Sequence, residues 1–192
     1  MNETHFISLL KEKDQPAFKK LVEEFGSKVY NTSLGILQND EDAEDITQEV
    51  FIEIFQSIHQ FKGDAKLGTW IYRITVTKSL EFLRKKNRKK RFAFVQSLFG
   101  MESVIPEKDK AYFYHPGIQL ENKERSAILF AAIDRLPENQ KTVFVLAKIE
   151  NLSYAEITEV MKISLASVES LMFRAKQNLQ KLLSKYYEEN EK

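Results

Sequence analysis

Between Thr69 and Arg91 the chain reads TWIYRITVTKSLEFLRKKNRKKR. Aromatic rings stack on unpaired bases and Lys or Arg side chains hold phosphates, so this mixture suits single-stranded nucleic acid. Seven of the last eight residues are basic. A charge run by itself is more often a solvated face. This one continues a stretch that begins with Trp70, Tyr72 and Arg73 and passes through Lys78 and Arg84. Residues two apart on a helix point about 200° from each other, so Trp70 and Tyr72 are expected to divide the work. Trp70 with Ile74 suits a core. Tyr72, Arg73 and Thr77 suit a wet surface that faces an opened strand.

A second signature has the opposite charge. DEDAEDITQEVFIEIF carries Asp42, Asp45, Glu49 and Glu53 at helical spacing. Carboxylates so placed could belong to a di-iron bundle, but that chemistry needs Glu-x-x-His pairs on facing helices. His5, His59 and His115 fall in no such pattern. A Ser-His-Asp set, a P-loop and a Gly-rich nucleotide motif are also missing from the sequence. The expectation is therefore no enzyme, no cofactor and no metal, with the acidic and aromatic face meeting a basic protein partner.

The third signature is SYAEITEVMKISLASVESLMFRAKQNLQKLL. Ser153 and Glu156 fit a capping box, and Ser164 can cap a second helix. On that helix Val168, Leu171, Met172, Ala175, Leu179 and Leu182 share a face, with Ser170, Phe173, Arg174 and Gln177 opposite. A short helix, a tight turn and a longer helix whose first turns are polar form a helix-turn-helix pattern. Its second helix can enter the DNA major groove.

The elements that position these residues are all helical by period, and no alternating run marks a strand. Asp14 caps a helix with Pro16 in its first turn, and Gly26 is expected to break or bend it. A second helix starts near Asp40. FKGDAKLG is a loop, and a third helix runs from about Thr69 into the basic tract. From about Phe92 to Leu120 the period fades, and Gly100, Pro106, Pro116 and Gly117 mark a linker. The fold class expected is all-α, with a helical domain over residues 1–91, an irregular linker over 92–120 and a second helical domain over 121–192. The chain of 192 residues has no cysteine and a formal net charge of only +1. It has no signal-peptide pattern at its start and no apolar run long enough to span a membrane, which fits a soluble cytoplasmic protein.

The ordered blocks DAEDITQEVFIEIF, FKGDAKLGTWIYRITVTKSLEFLRKK and LPENQKTVFVLAKIENLSYAEITEVMKIS, with FRAKQNL following, resemble a bacterial RNA polymerase sigma factor of the extracytoplasmic-function class. In that family the first domain is region 2 and the second is region 4. The resemblance implies that region 2 docks on the β′ clamp of core polymerase and captures the −10 promoter element. It implies that region 4 binds the −35 element and the β flap. Carried over by position, Asp45, Gln48, Glu49 and Phe51 bind polymerase. Phe61, Lys62, Gly63 and Asp64 lie in the loop that receives a flipped −10 base. Tyr72, Arg73, Thr77, Lys78, Arg84, Lys85 and Lys86 face −10 DNA. Leu165, Ala166, Ser167, Ser170, Phe173, Arg174, Lys176 and Gln177 face the −35 element. The resemblance also allows an anti-sigma partner, soluble or held at a membrane.

Four positions depart from the family pattern: Thr77 where Asn is usual, Lys162 where the turn usually has Gly, and Glu169 and Leu171 where basic residues are common. A left-handed Lys162 would store strain on the order of 1 kcal/mol. The competing expectation is a helix-turn-helix regulator with a ligand-sensing first domain, which would need an enclosed pocket.

Overall fold

The computed structural model describes residues 2–98 and 123–190, and no strand occurs among them. The first module holds α1 (Glu3–Lys11), α2 (Gln15–Leu37), α3 (Asp40–Ser57), a 3-10 turn (Ile58–Gln60) and α4 (Leu67–Leu98). The second holds α5 (Lys123–Asp134), α6 (Glu138–Lys148), α7 (Tyr154–Met161) and α8 (Leu165–Asn190).

Short polar side chains set where these helices begin. Asp14 accepts the amide of Ala17 at 2.8 Å, and Asn39 accepts that of Asp42 at 2.8 Å. Each satisfies an amide that has no partner within its own helix. Gly26 does not break α2. Glycine in a helix interior costs about 1 kcal/mol relative to alanine, but Leu21, Phe25 and Val29 bury one unbroken stripe across it. That burial outweighs the cost, since one fully buried aliphatic side chain contributes about 1.5–3 kcal/mol.

Two elements differ from the sequence expectation. No element is expected over residues 3–11, where α1 forms because Phe6 and Leu10 lie one turn apart and both enter the first core. α4 continues to Leu98, past the expected linker start at Phe92. Lys and Arg are good helix formers, so the helix persists after its apolar period has faded. The rest of the expected linker, from residue 99, lies outside the described residues.

The first core gathers Leu10, Leu21, Val29, Val50, Ile54 and Ile71 between α1, α2, α3 and α4. Trp70 and Ile74 pack against its edge, as the helical spacing requires, and the Trp70 ring sits 5.3 Å from that of Phe61. In the second module Phe130, Ile133, Val145, Ala175 and Leu179 join α5, α6 and α8.

Trp70 is half-buried, so Trp70→Ala should lose about 2–4 kcal/mol, a little under the full range for burying an aromatic. Urea denaturation of the whole chain measures this. An unchanged midpoint would remove Trp70 from the core.

Candidate nucleic-acid interface

The acidic residues of α3 do not act as one face. Asp45, Gln48 and Glu49 are exposed. Asp42 instead pairs with Lys86, and Glu53 lies 3.3 Å from Lys78, so both turn toward α4. Phe51 is half-buried against the first core and is not a free anchor. Ile52 is 57% exposed and lies one turn from Gln48 and Glu49. The sequence reading did not single it out, although its helical spacing from Gln48 and Glu49 is visible there.

Ahead of α4, Phe61 is buried while Lys62, Gly63 and Asp64 form an exposed loop. Gly63 has φ +83°, a left-handed conformation open to glycine at little cost. A hollow of about 410 Å³ lies between this loop and α1, lined by Glu3, Thr4, Ile7, Lys11, Lys62 and Lys66 among others. The Glu3 carboxylate accepts the Leu67 amide at 3.4 Å and so braces the start of α4.

The outer face of α4 corrects one expectation. Thr77 is exposed, as expected, but Tyr72 is only 7% exposed. Its hydroxyl donates to Glu150 at 2.8 Å. Arg73 donates through Nη2 to the Glu159 carbonyl at 2.8 Å, while its Nε is buried without a partner among the described residues. The reason is a second apolar stripe. Tyr72, Val76 and Leu80 lie one turn apart and must be covered. Val143, Leu146, Ile157, Val160, Val168 and Met172 of the second module cover them. Further along, Arg84 pairs with Glu138 at 3.2 Å, Lys86 is held by Asp42 and Lys85 is exposed. The basic run is thus partly neutralised within the chain.

In the second module, Ser153 and Glu156 cap each other: the Glu156 amide donates to Ser153 Oγ at 3.3 Å and the Ser153 amide to the Glu156 carboxylate at 2.9 Å. These hydrogen bonds hold the Glu156 carboxyl below its usual range. Lys162 has φ 54°, ψ 44°, so the turn carries the expected strain. Ser164 caps α8 by accepting the Ser167 amide at 3.2 Å. The structure groups the eight predicted residues from Leu165 to Gln177 as exposed side chains on α8, with Leu165 50% and Phe173 63% exposed. Val168, Met172, Ala175 and Leu179 point inward, as the period predicts.

Residues 21–89 match the family description Sigma-70 region 2, and residues 120–179 match Sigma-70, region 4. The ECF RNA polymerase sigma factor SigW of Bacillus subtilis is 31% identical over 188 residues, covering 92% of this chain and 94% of its own. The chain belongs to the ECF sigma factors. The ECF RNA polymerase sigma factor SigE of Mycolicibacterium smegmatis is 30% identical over 174 residues, 91% of this chain, and this sigma factor spans 64% of that longer relative. Solved structures share the fold. CnrH in complex with the cytosolic domain of CnrY gives a TM-score of 0.66 at 20% identity, covering 95% of this chain and 97% of that one. RpoE in complex with the anti-sigma factor NepR from Bartonella quintana gives 0.64 at 18% identity, covering 87% and 96%. ECF sigma factors direct RNA polymerase to promoters at initiation, and this chain is one of them. The region 2 match occupies the segment that a ligand-sensing domain would need, so the competing expectation falls.

Sequence reasoning missed Glu150, the partner of Tyr72. Burial pushes its carboxyl up to about 7, although the Tyr72 hydroxyl and Lys28 draw it down. A carboxyl raised in the folded chain stabilises the fold fully below its usual value of 4.5, and that contribution is lost as pH rises through about 7. Glu150→Gln should therefore remove a stability difference of up to about 3 kcal/mol between about pH 4.5 and pH 8. Thermal unfolding of both chains at the two pH values checks this. Parallel pH profiles would place Glu150 in ordinary solvent.

Proposed function

We propose that the exposed face of α3 docks this sigma factor on the β′ clamp of core polymerase through Asp45, Gln48 and Glu49, with Ile52 beside them. Region 2 then captures the −10 element. The hollow beside Gly63 receives an extruded base, and its volume of about 410 Å³ leaves room for one. Flipping costs a few kcal/mol, which stacking and phosphate contacts offset. Arg73, Thr77 and Lys78 face the opened strand, while Arg84, Lys85 and Lys86 meet upstream phosphates. Region 4 places the exposed face of α8 in the −35 major groove and contacts the β flap.

The observation that carries this proposal is the segregation of charge: an exposed acidic face on α3 and a basic end on α4. Two partners of opposite charge explain a net charge near zero. An anti-sigma factor is a further partner; both structural neighbours were solved with bound partners, NepR being an anti-sigma factor. No helix among the described residues is long and apolar enough to cross a membrane. Membership of the sigma factors supports action in the cytoplasm beside polymerase. Its part in initiation is positioning and strand capture, with no catalysis of its own.

Glu49→Lys should weaken binding to core polymerase, and added salt should slow association of the unmutated chain. Surface plasmon resonance against core enzyme tests both. Equal affinity for the variant would sink the α3 assignment.

Replacing Arg84, Lys85 and Lys86 together with Ala should weaken promoter binding whatever the sequence, and flatten its dependence on salt by one to three counterions or so. The reduction should fall short of the full three, because Asp42 and Glu138 already compete for two of these cations. A slope equal to that of the unmutated holoenzyme would mean the run is only a solvated face.

A further inference from the structure

α1 lies ahead of the segment matched to region 2, and the family resemblance carries no site residue over to it. Yet α1 forms one wall of the hollow of about 410 Å³ beside Gly63. The helical period divides α1 lengthwise. Phe6 and Leu10 enter the first core. Glu3, Ile7 and Lys11, each one turn from the next, line the hollow, with Thr4 beside them. The opposite wall is the loop over residues 61–66, where Lys62, Gly63, Ala65 and Lys66 face the same space. A Cβ at Gly63 would meet nothing within 4 Å, so the loop stands clear of α1 and leaves the hollow open.

The α1 wall changes chemistry along its length. Glu3 and Lys11 are about 12 Å apart along the axis, at a rise of about 1.5 Å per residue. A carboxylate lies at one end, a half-buried isoleucine in the middle and an ammonium group at the other end. Lys62 adds a second cation, while Lys66 is shared with region 4, lying 3.9 Å from Glu156. This order suits one nucleotide: a donor on the base meets the carboxylate, the ring covers the apolar middle and the phosphate meets the cations. Glu3 is also held in place. Its Oε1 accepts the Leu67 amide at 3.4 Å, one of the amides at the start of α4 with no partner inside the helix. That leaves Oε2 for a ligand.

We propose that Glu3 is a specificity-determining residue of the −10 base site, admitting an extruded base that carries an exocyclic amino group and excluding thymine. This rests on the base-capture reading given under Proposed function and adds the class of base. A carboxylate only accepts hydrogen bonds. Adenine, cytosine and guanine each carry an amino group, on N6, N4 and N2. Thymine has none, and its one ring N–H is flanked by two carbonyl oxygens that a carboxylate repels. Once a base is flipped, its Watson–Crick edge is free to be read in this way. Glu3 is exposed, so water weakens the discrimination. About tenfold is expected, near the lower end of what one wrong base costs a protein–DNA complex.

The test uses holoenzyme assembled from the full chain and core polymerase, on promoter DNA whose −10 element is randomised on one strand and left unpaired. Sequencing the bound fraction should show one position at which thymine is depleted about tenfold. Replacing thymine there by 5-methylcytosine, which has an amino group where thymine has a carbonyl, should restore the affinity. Glu3→Gln keeps the length of the side chain and an oxygen for the Leu67 amide, and its own amide also donates. It should bind thymine and 5-methylcytosine alike. An unchanged preference in Glu3→Gln overturns the proposal. So does an equal loss of affinity for every base, which would make Glu3 only a brace for α4. If an abasic nucleotide at each −10 position in turn binds as well as a normal one, no base is captured, and the reading under Proposed function fails together with the proposal. If abasic substitution weakens binding while the unmutated holoenzyme treats thymine and 5-methylcytosine equally, capture stands and only the selection by Glu3 falls.

Discussion

The rest of this structure depends on α4 having two apolar faces. Ile71 belongs to the first core, with Trp70 and Ile74 packed against it, while Tyr72, Val76 and Leu80 turn the other way. A helix with one stripe would complete a module and leave its outer surface to water. With two, α4 closes region 2 and still needs a cover. Region 4 provides that cover through α6, α7 and α8, and Gly35 permits the close approach by offering no side chain to Val145. The polar atoms that α4 carries in this position, on Tyr72 and Arg73, then find partners in region 4 or remain unpaired.

Charge is organised around the same helix. Lys78 and Lys86 reach back to Glu53 and Asp42. The acidic helix is thereby divided lengthwise into a side that fixes it to α4 and a side free to meet a partner. Surface ion pairs of this kind contribute little stability each. Their larger effect is on presentation, because they choose which carboxylates remain outward.

Much of this was readable from residue spacing. The capping box at Ser153, the caps at Asp14 and Ser164, the inward stripe of α8 and the partition of Trp70 from Tyr72 all follow from local hydrogen bonding and helical period. The sequence was less informative wherever the outcome depended on a surface distant in the chain. Tyr72 looked solvent-facing because Arg73 and Thr77 flank it, and nothing local announces Glu150. α1 escaped notice because Phe6 and Leu10 form only a short stripe, whose worth lies in the core it joins. Gly35 sits in NTSLGI, whose small and hydroxyl residues are a sign of close helix approach. That sign gives no indication of which helix will approach.

The position of Trp70 has an optical consequence. It is the chain's single tryptophan, and its indole lies half-buried behind the loop that contains Gly63, against Phe61. Its fluorescence therefore comes from one site, with no second indole to dilute it. Rearrangement of that loop changes how much water reaches the ring, which shifts the emission maximum. The unlabelled protein thus carries its own spectroscopic gauge at one end of α4, two residues from Tyr72 but on the opposite side of the helix from the stripe that region 4 covers.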